Sequence, residues 1–474
     1  MLETTPLYHQ LADQIHELIR AGTLRAGDRV PSVRRLSNQQ SVSVSTVLQA
    51  YQRLEDIGVI EARPQSGYYV RRLSAAVQEP ESSRPPKRAL NVEVNDLADA
   101  VLAHASDPSF VTFGSACAAA ELFQLERVRR VLCSLARRDR GALGRYGLPP
   151  GTERLRRAIA RRALEWGFRA DHRNFVTTTG CMEAINLALR AVTKPGDLVA
   201  LESPTYYGFL QILQSLGLRA LEIPTHPRSG ISLEALELAL AEHPVKAVLV
   251  MPNVSNPIGA SMTDAAKKRL VELLAARNVP LIEDHIYAEL HFDASPARPA
   301  KAFDRSGNVM LCSSFTKTLA PGLKVGWIEP GRWRDSVRML KFMSSGGQSE
   351  LVELAVAELL ESGGYERSLR QLRRRFESQV DVARGVIAES FPRGTRVTRP
   401  AGAYIVWVEL PKGCDTVVLF EKLLERGITI APGPMFSASQ RYRNCMRLSV
   451  GQAWAEKHER SLREVGRLAQ ELFG

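Results

Sequence analysis

The chain has 474 residues, 45% hydrophobic and 24% charged, with 63 basic against 51 acidic side chains and a formal net charge of +12. These fractions are close to globular averages, which excludes wholesale disorder, collagen and coiled coil, and the length suits about three domains. No stretch approaches the roughly 18 consecutive apolar residues of a membrane span, and the start MLETTPLYHQ has no secretory pattern. Six cysteines without a CxxC pair suit reduced thiols in the cytosol, not a disulfide scaffold or a metal site. The basic surplus favours a polyanionic partner.

Residues 1–72 read as one small unit. Thr5 and Pro6 supply an N-cap and an N1 proline, and Leu7, Leu11, Ile15, Leu18 and Ile19 mark one face of a helix that stops before Gly22. A turn at Ala26-Gly27-Asp28 precedes a short helix from Ser32 that carries Val33 and Leu36. A third helix begins near Ser43, with Val44, Val47, Leu48, Tyr51, Leu54 and Ile57 as its inward stripe and Gly58 at its end. Residues 59–63 and 68–70 then look like two short strands around Pro64-Gln65-Ser66-Gly67. Three helices and a two-stranded wing make a winged helix-turn-helix.

On the third helix Ser43, Ser45, Thr46, Gln49, Gln52 and Arg53 occupy the other face. Such groups suit base edges and phosphate oxygens in a major groove, although a solvated polar face has the same composition. Arg34 and Arg35 are placed to grip the backbone, and Gly67 lets the wing tip approach closely. The segments PLYHQLADQIHELIRAG and GDRVPSVRRLSNQQSVSVSTVLQAYQRLEDIGVIEARPQSGYYV resemble the GntR class of bacterial regulators. That resemblance implies a double-stranded DNA operator contacted by Arg34, Ser43, Ser45, Thr46, Gln49 and Gly67. Val44 stands where many members carry a basic residue.

Residues 73–92 are dominated by Pro, Ser and charge, and read as a linker, semi-rigid around Pro85-Pro86. From 93 to 474 apolar runs (198–201, 247–251, 281–283, 309–313, 405–410) alternate with helical stretches such as 182–192, 264–277 and 417–426. This alternation predicts an α/β domain with a mostly parallel sheet covered by helices.

Three local signals in this domain suit a phosphorylated, electron-withdrawing cofactor. Residues 174–185 run from a strand through Gly180 into a helix, whose N-terminus is an anion cradle. Asp284 ends the apolar run 280–283, at the mouth of a strand where a carboxylate can pair with a protonated ring nitrogen. Lys317 sits in a small, mostly apolar segment, where desolvation is expected to lower its pKa and free the amine for Schiff-base formation. Each alone is commonly structural.

Together with Tyr146-Gly-Leu-Pro-Pro-Gly151, Glu202-Ser-Pro-Thr-Tyr206, Asn253-Val-Ser-Asn256-Pro-Ile-Gly259 and Met446-Arg447-Leu-Ser, they resemble the fold-type I, class I/II aminotransferases. The resemblance implies pyridoxal 5'-phosphate held by Lys317 as an aldimine, with Asp284 on the ring nitrogen and Tyr206 stacked on the ring. It places Asn256 and Tyr287 at the phenolic oxygen, Gly180, Cys181, Ser314 and Lys324 around the phosphate, and Arg447 on an effector carboxylate. Tyr146 reaches the neighbouring subunit's phosphate in that family, so a domain-swapped homodimer is implied. Lys324 in place of arginine, Thr-Gly-Cys-Met at 179–182 and Pro-Ile-Gly at 257–259 depart from the commoner pattern.

A winged helix fused to such a domain resembles the MocR subgroup of GntR regulators. That implies a bacterial, cytoplasmic transcriptional regulator, at the nucleoid when on DNA, whose large domain senses an amino acid or amine effector by transimination. An active aminotransferase with a DNA-binding appendage is the alternative, and a cofactor-free domain a third. The charge adds a further expectation: residues 1–72 carry nine arginines against seven acids, whereas 121–173 carry fourteen against six. That stretch either forms solvated helix faces or helps to carry DNA between two wings.

Overall fold

The computed structural model describes residues 6–20, 23–24, 28–56, 59–63, 66–70, 77–92, 97–105, 107–293 and 297–474. The chain divides into two compact units, Met1–Ala76 and Val77–Gly474.

In the first unit, α1 (Leu7–Arg20), α2 (Val33–Gln40) and α3 (Val44–Asp56) precede β1 (Ile60–Arg63) and β2 (Gly67–Val70), which pair antiparallel. The Ser32 hydroxyl accepts from the Arg35 N–H and caps α2, and Ser43 caps α3 in the same way through Thr46. Leu11, Ile15, Leu36, Val47, Tyr51 and Leu54 close a small core. The Tyr51 hydroxyl donates to the Pro31 carbonyl at 2.6 Å, which locks the entry to α2 against α3. The inward stripe expected for α3 is narrower than its spacing suggested: Val44 is 47% and Leu48 44% exposed. Val47, Ala50, Tyr51 and Leu54 satisfy the core without them. Leu7 and Leu18 of α1 are likewise exposed. The expected stops at Gly22 and Gly58, the turn at 26–27, Ile57 of the stripe and Pro64-Gln65 of the wing lie outside the described residues.

The second unit is built on a mostly parallel sheet with the spatial order Leu90–Asn91, Arg219–His226, Leu198–Ser203, Val245–Val250, Leu281–Asp284, Val309–Ser314, Gly326–Glu329, Val176–Thr178. The five strands from Arg219–His226 to Val309–Ser314 run parallel, and Gly326–Glu329 runs antiparallel to both its neighbours. The central strands are buried along their length except at Lys246, as strands covered on both faces must be. A smaller four-stranded antiparallel sheet, Arg396–Val397, Ile405–Glu409, Cys445–Ser449 and Ala431–Pro432, forms the C-terminal part. The 27-residue helix Gly364–Ser390 packs against the last helix, Glu456–Phe473. No helix among the described residues is long and apolar enough to cross a membrane.

The linker expected over 73–92 is corrected for residues 77–92, which belong to the second unit. The Gln78 carbonyl accepts from the Val397 N–H at 2.9 Å, and Glu79 accepts from the Arg399 N–H and pairs with Arg228. Ser83 bonds Thr225 through its own backbone and side chain and donates to the Ser203 carbonyl. Leu90–Asn91 then adds an edge strand. Backbone and polar bonds hold this strap, so its apolar pattern gave no sign of order.

The arginines of 121–173 are also largely matched within the fold. Helix Glu350–Glu361 supplies Glu358 to Arg138 at 2.6 Å, Glu361 to Arg154 and Arg161 at 2.8 and 2.7 Å, and Glu350 to Arg145 at 2.8 Å. Arg129 and Arg157 pair along their own helices. Each exposed pair contributes little to stability, but together they neutralise much of the local surplus.

Ser83→Ala removes a donor to one strand and an acceptor for the next. It is expected to lower the stability of the second unit by about 1–2 kcal/mol in urea unfolding; unchanged stability would show that the strap is only laid on the surface.

Candidate functional site

In the first unit Arg34 stands exposed on α2, and Ser45, Gln49 and Gln52 stand exposed on α3. The Ser43 hydroxyl lies 2.8 Å from both the Ser45 and the Thr46 hydroxyls, so the three form a joined polar cluster at the start of α3. Val44 and Leu48 are exposed one turn apart on that helix, apolar surface of the kind that meets a thymine methyl group. Gly67 has φ +105°, a conformation that favours glycine, and a Cβ there would sit 3.3 Å from Arg29 Nη2. The exposed Arg29 beside the wing is a cation that sequence reasoning missed.

In the second unit the expected cofactor residues gather where parallel strands end, the edge at which α/β sheets bind ligands. The strand Val176–Thr178 turns through Gly180, at φ +81°, into the helix Cys181–Val192, whose first N–H groups and dipole form an anion cradle. A Cβ on Gly180 would meet nothing within 4 Å, so its conformation, not crowding, selects glycine. Gly326, on the neighbouring strand, is selected by crowding: a Cβ there would lie 2.5 Å from the Gly180 carbonyl carbon. The Thr179 N–H donates to Glu183 Oε2 at 2.6 Å, and Glu183 is held in turn by Lys341 and Ser345.

Asp284 ends the strand Leu281–Asp284 and is buried. It accepts from the Ile286 N–H at 2.9 Å and from the Cys181 thiol at 3.3 Å. Burial pushes its carboxyl up to about 6 against these bonds and the Lys317 charge. Cys181, expected beside the phosphate, thus turns its thiol to Asp284, and its backbone N–H is the group left for an anion. Burial raises that thiol well above its ordinary range.

Lys317 closes a 3-10 turn after the strand Val309–Ser314 and donates from Nζ to the Ala116 carbonyl at 2.7 Å. The same carbonyl accepts from the Tyr404 hydroxyl at 3.1 Å. The ammonium lies 5.9 Å from the centre of the Tyr287 ring. Burial, the largest single influence, lowers its pKa, but Tyr287, Cys117 and Tyr207 together turn the net direction upward. The expectation of a lysine depressed by desolvation is corrected accordingly. Ser314 caps the turn by accepting from the Thr316 N–H.

Arg447 is fully buried on the strand Cys445–Ser449. Its guanidinium donates to the Gly114 carbonyl and, at 3.5 Å, to Asn256 Oδ1, and lies 5.2 Å above the Phe436 ring. Its Nε has no hydrogen-bond partner, and no carboxylate pairs with it among the described residues. Tyr206 is half-buried at the start of the helix Tyr207–Ser215, edge-on to Phe209. The bare Gly208 lets its ring lie close, since a Cβ there would meet Tyr206 Cε1 at 2.5 Å. Tyr206 and Lys317 share Tyr287 and Arg447 as electrostatic neighbours.

Two expected residues are exposed at the surface. Lys324 is exposed with φ +47°, and Tyr146 is 79% exposed with its hydroxyl beside Gly346. The backbone carbonyls of Gly114 and Ala116, and Tyr404, were missed because nothing in their spacing ties residues 114–116 to positions nearly 300 residues later. The set fits a pyridoxal phosphate: an open N–H cradle, a buried carboxylate above its ordinary pKa, an amine, and a buried cation without an anion among the described residues.

Residues 115–459 match the family model described as aminotransferase class I and II, and residues 7–70 match that of the bacterial regulatory proteins, gntR family. The HTH-type transcriptional regulators YjiR and YdcR of Escherichia coli are 37% and 39% identical, over 97% and 98% of this chain and 98% and 99% of their own. LysN of Thermus thermophilus, an alpha-aminoadipate aminotransferase solved with N-(5'-phosphopyridoxyl)-L-leucine, superposes with a TM-score of 0.74 at 27% identity, covering 81% of this chain and 96% of that one.

Beside the site, Glu202 is buried and accepts from the Met251 N–H at 2.9 Å. Burial raises its carboxyl to about 8, so the folded chain keeps a proton that the unfolded chain releases near 4.5. Stability therefore falls as pH rises between those values. Glu202→Gln keeps the acceptor and should gain about 1 kcal/mol or more on the native chain between pH 5 and pH 8 in urea unfolding. A difference independent of pH would show that Glu202 is ionised in the fold.

Proposed function

We propose, for a chain that belongs to the aminotransferase class I and II family and joins it to a gntR-type regulatory domain, a DNA-binding transcriptional regulator that holds pyridoxal phosphate at Lys317 and responds to an amino acid or amine. The observation that carries the effector half is Arg447, a buried guanidinium that pairs with no carboxylate among the described residues and is an electrostatic neighbour of Lys317.

Bound at Lys317, pyridoxal phosphate supplies a carbon that reacts reversibly with amines and a ring that withdraws electrons. The chain's own groups do the rest. The N–H groups at Gly180 and Cys181, with Ser314 and Lys324, would hold the phosphate. Asp284 would hold a proton at the ring nitrogen, and Tyr206 would lie against the ring. Asn256 and Tyr287 would bond the phenolic oxygen. Arg447 orients the effector by its carboxylate, which offers the bidentate partner a guanidinium fits.

A homodimer is supported by an exposed apolar patch of Leu143, Tyr146, Leu148, Met339, Phe342 and Met343. The loop at 146–148 packs on the turn at 346–348, just after Phe342 and Met343, so the patch is continuous. The exposure of Tyr146 in this patch supports a pairing in which a second copy receives it. Regulation then follows from linkage: an effector that prefers one arrangement of the dimer shifts DNA affinity by its differential binding. The second reading, a working aminotransferase with a DNA-binding appendage, is favoured by the presence of Lys317, Asp284, Tyr206 and Arg447 together.

Purified protein mixed with pyridoxal phosphate is expected to gain a visible absorbance band that Lys317→Ala lacks. Amino acids should change the band without sustained turnover to keto acid products; turnover of roughly 1 per second or more would establish the enzyme reading instead. On the DNA side, Arg34→Ala is expected to weaken binding and lower the salt slope by about 1, leaving the band intact. Unchanged affinity would remove Arg34 from the interface.

A further inference from the structure

A buried polar chain begins one residue after Lys317 and is used by none of the roles above. Thr318, Tyr365, Glu289 and Arg162 are all buried. The Tyr365 hydroxyl lies 2.6 Å from Glu289 Oε2 and 2.8 Å from Thr318 Oγ1. A phenol has one proton, and a carboxylate can only accept it, so the Thr318 hydroxyl donates to Tyr365 and Tyr365 donates to Glu289. Glu289 Oε1 accepts from Arg162 Nε at 3.0 Å and from its Nη2. Arg162 also pairs with Glu366 at 2.8 Å, and its guanidinium lies 4.6 Å above the Tyr365 ring.

The other end of the chain reaches Tyr287 through the backbone. Glu289 belongs to the 3-10 turn Ala288–Leu290, which Tyr287 opens, and the Leu290 N–H donates to the Tyr287 carbonyl at 2.8 Å. Arg373 of the helix Gly364–Ser390 donates to the Glu289 carbonyl at 2.7 Å. One carboxylate is thereby tied through Tyr365 to the residue after Lys317 and through its own backbone to Tyr287.

We propose that Thr318, Tyr365, Glu289 and Arg162 are positioning residues that fix the Lys317 amine relative to the Tyr287 ring. A buried ion pair of this kind adds little net stability over apolar packing, whereas it does fix geometry. The inference rests on Lys317 being the cofactor lysine. The ionisable groups that face Lys317 are Tyr287, Cys117, Arg447, Tyr207 and Asp284. Those around Glu289 are Arg162, Tyr365, Arg373, Glu366, Glu165 and His291. Burial raises the Tyr365 phenol well above its ordinary range, so Tyr365→Phe removes a neutral hydroxyl; no substitution below removes a charge, and a change at Lys317 reports position.

The full chain is loaded with pyridoxal phosphate and its visible absorbance is titrated with pH, for the native protein, Tyr365→Phe, Thr318→Val, the double variant and Thr318→Ser. We expect the midpoint to move by about half a pH unit or more in Tyr365→Phe and Thr318→Val. The double variant should move no further than the larger single effect, because both cut the same chain. Thr318→Ser keeps the donor and should keep the native midpoint. A lowered unfolding temperature with an unmoved midpoint in both single variants would overturn the inference and leave the cofactor reading standing. No visible band in the native chain would overturn both.

Discussion

Arg447 is the group around which the second unit has to be understood. A guanidinium taken wholly out of water loses its hydration, and a fold normally restores it with a carboxylate. Here it receives the Gly114 carbonyl, a long bond to Asn256 and the face of Phe436, and one nitrogen stays unbonded. Those partners hold the side chain in place without neutralising it. Its positive charge is therefore left without an anion among the described residues, and under the proposed function a carboxylate-bearing molecule would supply it.

The remaining charges of the pocket are unbalanced in a matching way. Burial holds the Asp284 carboxyl near 6, short of the cation that would ionise it fully. The Lys317 ammonium is raised and bound to a backbone carbonyl instead of a carboxylate. The N–H groups of the helix Cys181–Val192 point into space that no side chain of Gly180 fills. The proposed ligand, with a ring nitrogen, a carbonyl carbon and a phosphate, would meet these groups one for one, and a proposed amino acid effector would meet Arg447. The parallel sheet makes this possible because its strand ends deliver Asp284 and Ser314 to one edge, and the loops and helices that follow the strands add Tyr206, Asn256 and Gly180.

Much of this was legible in the sequence because it is carried locally. The Gly180 turn, the apolar run before Asp284 and the small residues around Lys317 mark strand ends and a helix start with few neighbours needed. The reading head was legible for the same reason, through helical spacing and the glycine at 67. What stayed hidden depends on distant partners. Residues 77–92 looked like a linker because polar bonds to Ser203, Thr225 and Val397 order them, and such bonds leave no apolar period. The arginines of 121–173 looked like free charge because their acids lie some 200 residues later, on the helix Glu350–Glu361. Val44 and Leu48 followed the helical period yet face outward, since a small domain fills its core with one narrower stripe. The chain from Thr318 to Arg162 joins four segments that no local motif connects.

Under the proposed function, occupancy of the Lys317 site alters how the winged unit engages DNA. Linkage makes this a reciprocal quantity, so DNA affinity must change if the ligand distinguishes the arrangements of the dimer. The direct measurement is fluorescence anisotropy on genomic fragments enriched by the full chain itself, at fixed salt. It would compare protein without pyridoxal phosphate, with it, and with it plus amino acids that change the visible band. The account predicts at least about a fivefold change in affinity between two of these states, absent in Lys317→Ala. Equal affinity in all three states, with the visible band responding normally, would contradict it.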